Sequence, residues 1–190
     1  MTGEDYGFDE VPVAEVALVG QGLGLLTLSE RDAIQAYAFN GFEQVNQALW
    51  GVIPMTPALA RRIDTIRSGL RKYPVPMMVR VTREAEARTF GIVDEESARA
   101  LVYREFTHRG FLSASGSAVP PRSTRHTDPV ILDLLVPAGT PALRLGELAE
   151  IPDEREVLLI DARSYFVVGV ARDPARSMWR IQAIVAEGEQ

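Results

Sequence analysis

Apolar residues keep a helical rhythm through the first third of the chain and cluster like strands after it. Ile34, Tyr37, Ala38, Val45 and Leu49 recur at the spacing of an amphipathic helix. Ser29, in Ser29-Glu30-Arg31-Asp32, is the expected N-cap of that run, and Asn40-Gly41 inside it predicts a split into two short helices. Thr56-Pro57 predicts another helix start with proline in the first turn, and Leu59, Ile63, Ile66 and Leu70 mark its apolar face. Tyr73-Pro74-Val75-Pro76 ends this helix; Met77 to Val81 then reads as a strand, and a further helix is expected from Asp94, its N-cap, to about Phe106. Beyond it, apolar and β-branched runs at 111–115, 130–136, 156–160, 165–170 and 178–185 are separated by Pro, Gly and Asp clusters. Helices first and strands afterwards predict an α+β fold with a mainly antiparallel sheet.

Composition narrows the picture. A chain of 190 residues, 46% hydrophobic and 24% charged, suits one folded domain. Residues 1–24 are expected to be a flexible or loosely packed lead-in, with a single domain over 25–190, helical over 25–72 and mainly β over 73–190. The absence of cysteine rules out disulfides, thiolate metal sites and a cysteine nucleophile. A net charge of -6 argues against nucleic acid as a partner. The acidic start MTGEDYGFDE lacks the basic and apolar regions of a signal peptide, and no run approaches the ~18 apolar residues of a membrane span. The expectation is a soluble protein with no membrane partner.

Three segments carry candidate chemistry. Arg80 is a lone cation in the strand Met78-Val79-Arg80-Val81, and Phe111-Leu112-Ser113-Ala114-Ser115 bears two hydroxyls at alternate positions. Glu154-Arg155-Glu156 runs into Val157-Leu158-Leu159-Ile160. Side chains alternate along a strand, so Glu154 and Glu156 are expected on one face, about 7 Å apart along the chain. Two like charges at the mouth of an apolar strand are costly unless something uses them. Arg104, Arg109, Arg122 and Arg125 stand against one acid, Glu105, between positions 104 and 126, a local basic stretch that suits a pyrophosphate. Each feature alone has an ordinary reading as a solvated or edge-strand residue.

Other signals carry less. Gly20-Gln21-Gly22-Leu23-Gly24 lacks the third glycine of a dinucleotide fingerprint, since position 25 is Leu25, and reads as a turn. His108 and His126 have no neighbouring ligand set of metal spacing. Trp50 and Trp179 read as core or helix-packing residues.

Taken in order, these segments resemble the bacterial ADP-ribosyltransferase exoenzymes of the arginine–serine–glutamate class, Glu-x-Glu type. Arg80 stands where the family has its first-strand arginine, Phe111 to Ser115 resembles its aromatic-x-Ser-Thr-Ser strand, and Glu154-Arg155-Glu156 resembles its Glu-x-Glu motif. Leu28 to Leu49, with Tyr37 and Asn46, is similar to the family's helical lead, so the likeness spans about residues 25–185. Ala114 replaces the middle threonine, and Val81 follows Arg80 where glycine or a basic residue is frequent.

The resemblance implies two packed, mainly antiparallel sheets around an NAD cleft, with residues 25–190 as the catalytic domain. It implies NAD as co-substrate, without a metal. Glu156 would stabilise the oxocarbenium-like ribose, Ser113 would hold Glu156, and Arg80 would anchor NAD. Val81, Ser115, Arg122 and Arg125 complete the expected NAD-binding set. Glu154 would bind and deprotonate an acceptor arginine, with Gly146 to Asp153 as the recognition turn through Leu148 and Ile151. The implied protein is a toxin or effector, delivered without a classical signal peptide, that modifies an arginine of a target protein in another cell's cytosol. An immunity or inhibitor protein is a further implied partner. Two alternatives stay open: an NAD glycohydrolase with water as acceptor, and a non-enzymatic binding module of the same fold.

Overall fold

The computed structural model describes residues 7–151 and 155–186. Its helical layer contains α1 (Ala14–Ala17), α2 (Leu28–Ala36), α3 (Phe42–Leu49) and α4 (Pro57–Leu70). Helix α2 starts at Thr27 rather than Ser29. Thr27 Oγ1 accepts from the Glu30 amide and Glu30 Oε2 accepts from the Thr27 amide, a reciprocal capping box. Asn40-Gly41 does not break the run; Tyr37–Gly41 forms a π-helical turn that joins α2 to α3. Gly41 is needed there, because a Cβ would lie 2.8 Å from the Ala36 carbonyl oxygen. Helix α4 begins as expected, with Thr56 capping and Pro57 in the first turn, and it buries Leu59, Ile63, Ile66 and Leu70.

The helix from Asp94 is much shorter than its pattern predicts. Asp94 caps α5 (Glu95–Arg99), but Tyr103 takes a left-handed φ of 71° and residues 105–108 form a strand instead. Tertiary pairing decides this, for the Tyr103 amide donates to Val167 O and Phe106 stacks on Tyr165.

The strands are β1 (Val79–Glu86), β2 (Glu105–His108), β3 (Leu112–Ser115), β4 (Pro129–Val136), β5 (Ala142–Arg144), β6 (Glu156–Leu159), β7 (Arg163–Arg172) and β8 (Trp179–Val185). They form one ladder in the order β2-β7-β8-β4-β1-β3-β6-β5, antiparallel except for β4 beside β8. The joint between β1 and β3 is a single pair, Thr82 opposite Ser115. The expected two sheets are therefore a five-stranded and a three-stranded part hinged at that pair. Val81, Leu132 and Val167 from one part and Leu112, Ala114 and Val157 from the other share one apolar core. The outer face of the smaller part, with Phe111, Leu143 and Leu158, packs under Ile34, Tyr37, Val45 and Ile63 of the helical layer.

Residues 7–24 are not loose. Phe8, Ala14 and Leu18 are buried, and the Arg80 amide donates to Pro12 O. The Gln21 side-chain amide pairs with the open edge of β5, donating to Ala142 O and accepting from the Arg144 amide. Trp179 is buried, but Trp50 is 41% exposed and meets His108 edge-on.

Two groups, one half-buried and one buried, contribute to the acid response of the fold. Burial pushes the His108 imidazole from 6.5 down to about 4, aided by the Arg83 charge and opposed by its hydrogen bond with Phe111 O. Between those values the unfolded chain binds a proton that the folded chain does not, so stability falls as pH drops from 6.5 to about 4. Glu30 acts lower. Its burial, which alone would raise it, is outweighed by bonds from Lys72, the Thr27 amide and Ser68, which lower it from 4.5 to about 2. The stability it contributes is complete above 4.5 and is lost as pH falls toward 2. Thermal melts should therefore show a flatter profile for His108→Gln than for the wild type between pH 6.5 and 4. Coincident profiles would remove His108 as the titrating group.

Candidate active site

The hinge between β1 and β3 leaves a cleft, and a cavity of about 530 Å³ opens there, a size usual for small-molecule sites. Its floor is the face of β3 and β6 that carries Ser113, Ser115 and Glu156. Antiparallel pairing sets Ser115 directly opposite Glu156 and Ser113 one step diagonal to it. Ser113 Oγ donates to Glu156 Oε1 at 2.5 Å, a charge-assisted bond that holds the carboxylate in one orientation.

The helical layer supplies one wall, with Tyr37, Ala38, Phe42 and Asn46. Asn46 ties this wall to the floor: its Oδ1 accepts from the Phe111 amide at 3.0 Å and its Nδ2 donates to Tyr37 Oη at 3.0 Å. Tyr37 Oη donates in turn to Phe111 O. Burial pushes the Tyr37 phenol up to about 12, so it stays a neutral hydrogen-bonding group. Gly110 leaves room for this clamp, since a Cβ would lie 2.5 Å from Asn46 Oδ1.

Residues 120–125 supply the opposite wall and bring Arg122 and Arg125 to the cavity. Alternate acids on β1 hold this loop. Glu84 Oε1 accepts from the Ser123 amide and lies 3.2 Å from His126 Nδ1, while Glu86 accepts from the Thr127 and Asp128 amides.

The cation on the floor is Arg83, not Arg80. Arg83 lines the cavity, half-buried, and its Nη1 donates to Ser113 O at 2.9 Å. Burial lowers its pKa, while Tyr37, Tyr165 and Glu156 favour its charge. Arg80 lies on the other face of β1. It makes a bidentate pair with fully buried Asp133, and its Nη1 bonds Asp9 and Phe8 O, so its guanidinium is spent in the fold. Val81 is fully buried in the apolar core and does not reach the cavity.

Sequence reasoning misses Arg83, although the chain carries a signal for it. Along β1 it shares the face of Val79 and Val81, so it is a charge out of step with an apolar register. Arg80 shares its face with Thr82 and Glu84, a run of polar positions. Tyr37 and Asn46 stand out in the sequence only as part of a helical lead.

Glu154 lies outside the described residues, as do Pro152 and Asp153. Arg155 has a left-handed φ of 52°, and β6 begins at Glu156. Leu148 is buried, whereas Ile151 is 51% exposed and lines the cavity with Glu150. Among the described residues no group of His, Asp or Glu is arranged to hold a metal ion, and no helix is long and apolar enough to cross a membrane.

Comparison with solved structures finds this fold repeatedly. The C3 exoenzyme of Clostridium limosum matches with a TM-score of 0.75 at 15% identity, over 95% of each chain. Plx2a, an ADP-ribosyltransferase toxin from Paenibacillus larvae, matches with a TM-score of 0.77 at 20% identity, over 98% of this chain and 100% of its own. C3stau2 from S. aureus, solved with NAD, matches with a TM-score of 0.76 at 18% identity, over 99% of this chain and 98% of its own. At such identities these matches establish the fold alone. No curated protein matches the chain. The profile of the ADP-ribosyltransferase exoenzymes, however, spans residues 17–183, covering helical lead, β1, the serine strand and Glu156 together, and the chain belongs to that family.

Proposed function

We propose that the chain binds NAD in this cavity and transfers ADP-ribose to an arginine of a target protein, as a mono-ADP-ribosyltransferase toxin or effector. The observation that carries the reading is the Ser113–Glu156 hydrogen bond, set in a cavity with Arg122 and Arg125 on the facing wall. In this reading the two loop arginines take the diphosphate with their planar forks. Ser115 serves the ribose hydroxyls, and Arg83 supports the floor through Ser113 O.

The bond between nicotinamide and ribose C1′ breaks, and its electron pair leaves with nicotinamide. Positive charge then develops on the ribose, as in glycoside cleavage. Glu156 faces that charge through the 2′-hydroxyl, where a preorganised carboxylate is most effective. The acceptor guanidinium, whose pKa lies above ~12, is a poor nucleophile while protonated. Glu154 orients it and receives its proton as a guanidine nitrogen bonds to C1′. Arginine preference rests on Glu154 being a glutamate within Glu-x-Glu.

Incubation with biotin-tagged NAD and a host-cell lysate tests this reading. Labelled bands should carry ADP-ribose on arginine by mass spectrometry. Glu154→Gln should abolish labelling while nicotinamide release continues at a reduced rate. Tagged NAD consumed without labelled protein would turn the reading into an NAD glycohydrolase. Undiminished NAD after long incubation would leave a binding module.

A further inference from the structure

The N-terminal segment ahead of the family match contacts the residue that precedes Glu156. We infer that Glu15, in α1, is a positioning residue for the reaction. Its carboxylate clasps Arg155, the residue immediately before Glu156, to the start of the arginine-bearing loop. This inference rests on the functional reading above.

Several hydrogen bonds converge on this point. Glu15 Oε2 pairs with Arg155 Nη1 and accepts from Ser117 Oγ at 3.3 Å. The Glu15 amide donates to Gly116 O at 3.0 Å, and the Gly116 amide donates to Arg155 O at 2.9 Å. Gly116 thus lies between the two partners, and nothing larger fits. A Cβ there would lie 2.8 Å from Glu15 N and 3.2 Å from Arg155 O. Thr82 Oγ1 holds Ser117 O at 2.8 Å, beside the single pair that joins the two parts of the sheet. Buried Ala14 and Leu18 root α1 in the core, so Glu15 projects from a fixed base.

The strain at Arg155 shows what the clasp does. A non-glycine residue at φ 52° costs energy and persists only where its surroundings over-determine it. Here its carbonyl is held by Gly116 and its guanidinium by Glu15. That conformation bounds β6 at Glu156. Glu15 does not line the cavity. Its effect therefore passes through the orientation of Glu156 and of the loop that begins at Gly116.

The charges of Glu15 and Arg155 can be exchanged, which separates positioning from general damage to the fold. Glu15→Ala and Arg155→Ala should each lower kcat for nicotinamide release roughly 10-fold or more, as small misplacements at a reacting centre do, with KM for NAD changed much less. The exchange Glu15→Arg with Arg155→Glu should recover kcat to within about 3-fold of the wild type. Single variants within about 2-fold of the wild type would overturn the inference. So would a loss that the exchange does not restore, or a loss confined to KM. Arg155 is exposed, so its alanine variant remains informative if Glu15→Ala fails to fold. Glu156→Gln, run alongside, separates the two claims. Full activity in that variant would sink the functional reading, whereas inactivity there with normal clasp variants would sink only this inference.

Discussion

Glu156→Gln should lower nicotinamide release from NAD by roughly 100- to 1,000-fold or more, with the fold and melting temperature close to those of the wild type. The substitution keeps the shape of the side chain and an acceptor for Ser113 Oγ, which bonds Glu156 Oε1 in the native site. It removes the negative charge that opposes the developing oxocarbenium. Removing an interaction made equally in ground and transition states would raise KM. Removing one made only in the transition state lowers kcat, and that is the expected result. Ser113→Ala should be milder, because it frees the carboxylate without removing it. Steady-state release of nicotinamide checks both, and a Glu156→Gln enzyme that turns over normally would remove the proposed mechanism.

The two arginines of β1 should part company. Arg83→Met should lower turnover of NAD by roughly 100-fold, as misplacement of a reacting group does, while leaving a folded protein, since it removes the half-buried side chain whose bond to Ser113 O supports the floor. Arg80→Met should do the reverse. Asp133 is fully buried and accepts both arms of Arg80, so removing that partner leaves a poorly compensated charge, a loss of roughly 3 kcal/mol or more. Arg180 still reaches Asp133 Oδ2 at 2.7 Å, which moderates the cost. Below its lowered melting temperature, Arg80→Met should release nicotinamide at close to the wild-type rate. Melting curves and turnover measured on the same preparations settle the assignment, and the opposite pattern would return Arg80 to the cavity.

Much of the architecture is legible in the sequence because it follows from local rules. The face of α4 shows in Leu59, Ile63, Ile66 and Leu70, and its start in Thr56-Pro57. The runs around 130, 156, 165 and 178 form strands within a few residues of their expected bounds. Local rules fail where a longer-range interaction competes. Asp94 begins a helix as its capping chemistry requires, yet pairing with β7 takes residues 105–108 away from it. Asn40-Gly41 has the chemistry of a break, but the packing of Tyr37 and Val45 keeps the chain helical through a π-turn. The acidic N-terminal segment reads as loose because its partners, Arg80 and Arg155, lie far along the chain.

The site divides in the same way. Ser113, Ser115, Arg122, Arg125 and Glu156 stand out in the sequence, and they line one cavity because strand alternation and a short basic loop are local properties. Sequence also determined the order of helices and strands, the apolar faces and the motif series that marks the family. The tertiary structure decided which arginine faces the cleft, although the apolar register of β1 already marked Arg83 as out of step. Both sit on one strand with equal intrinsic chemistry, and the difference is that Asp133 and Asp9 converge on Arg80 while Ser113 O meets Arg83. It alone also brought Tyr37 and Asn46 to the cavity and Glu15 to Arg155, for their partners lie 65 to 140 residues away. Periodicity records which face a side chain takes on its own element, whereas pairings across such separations arise only when the elements dock.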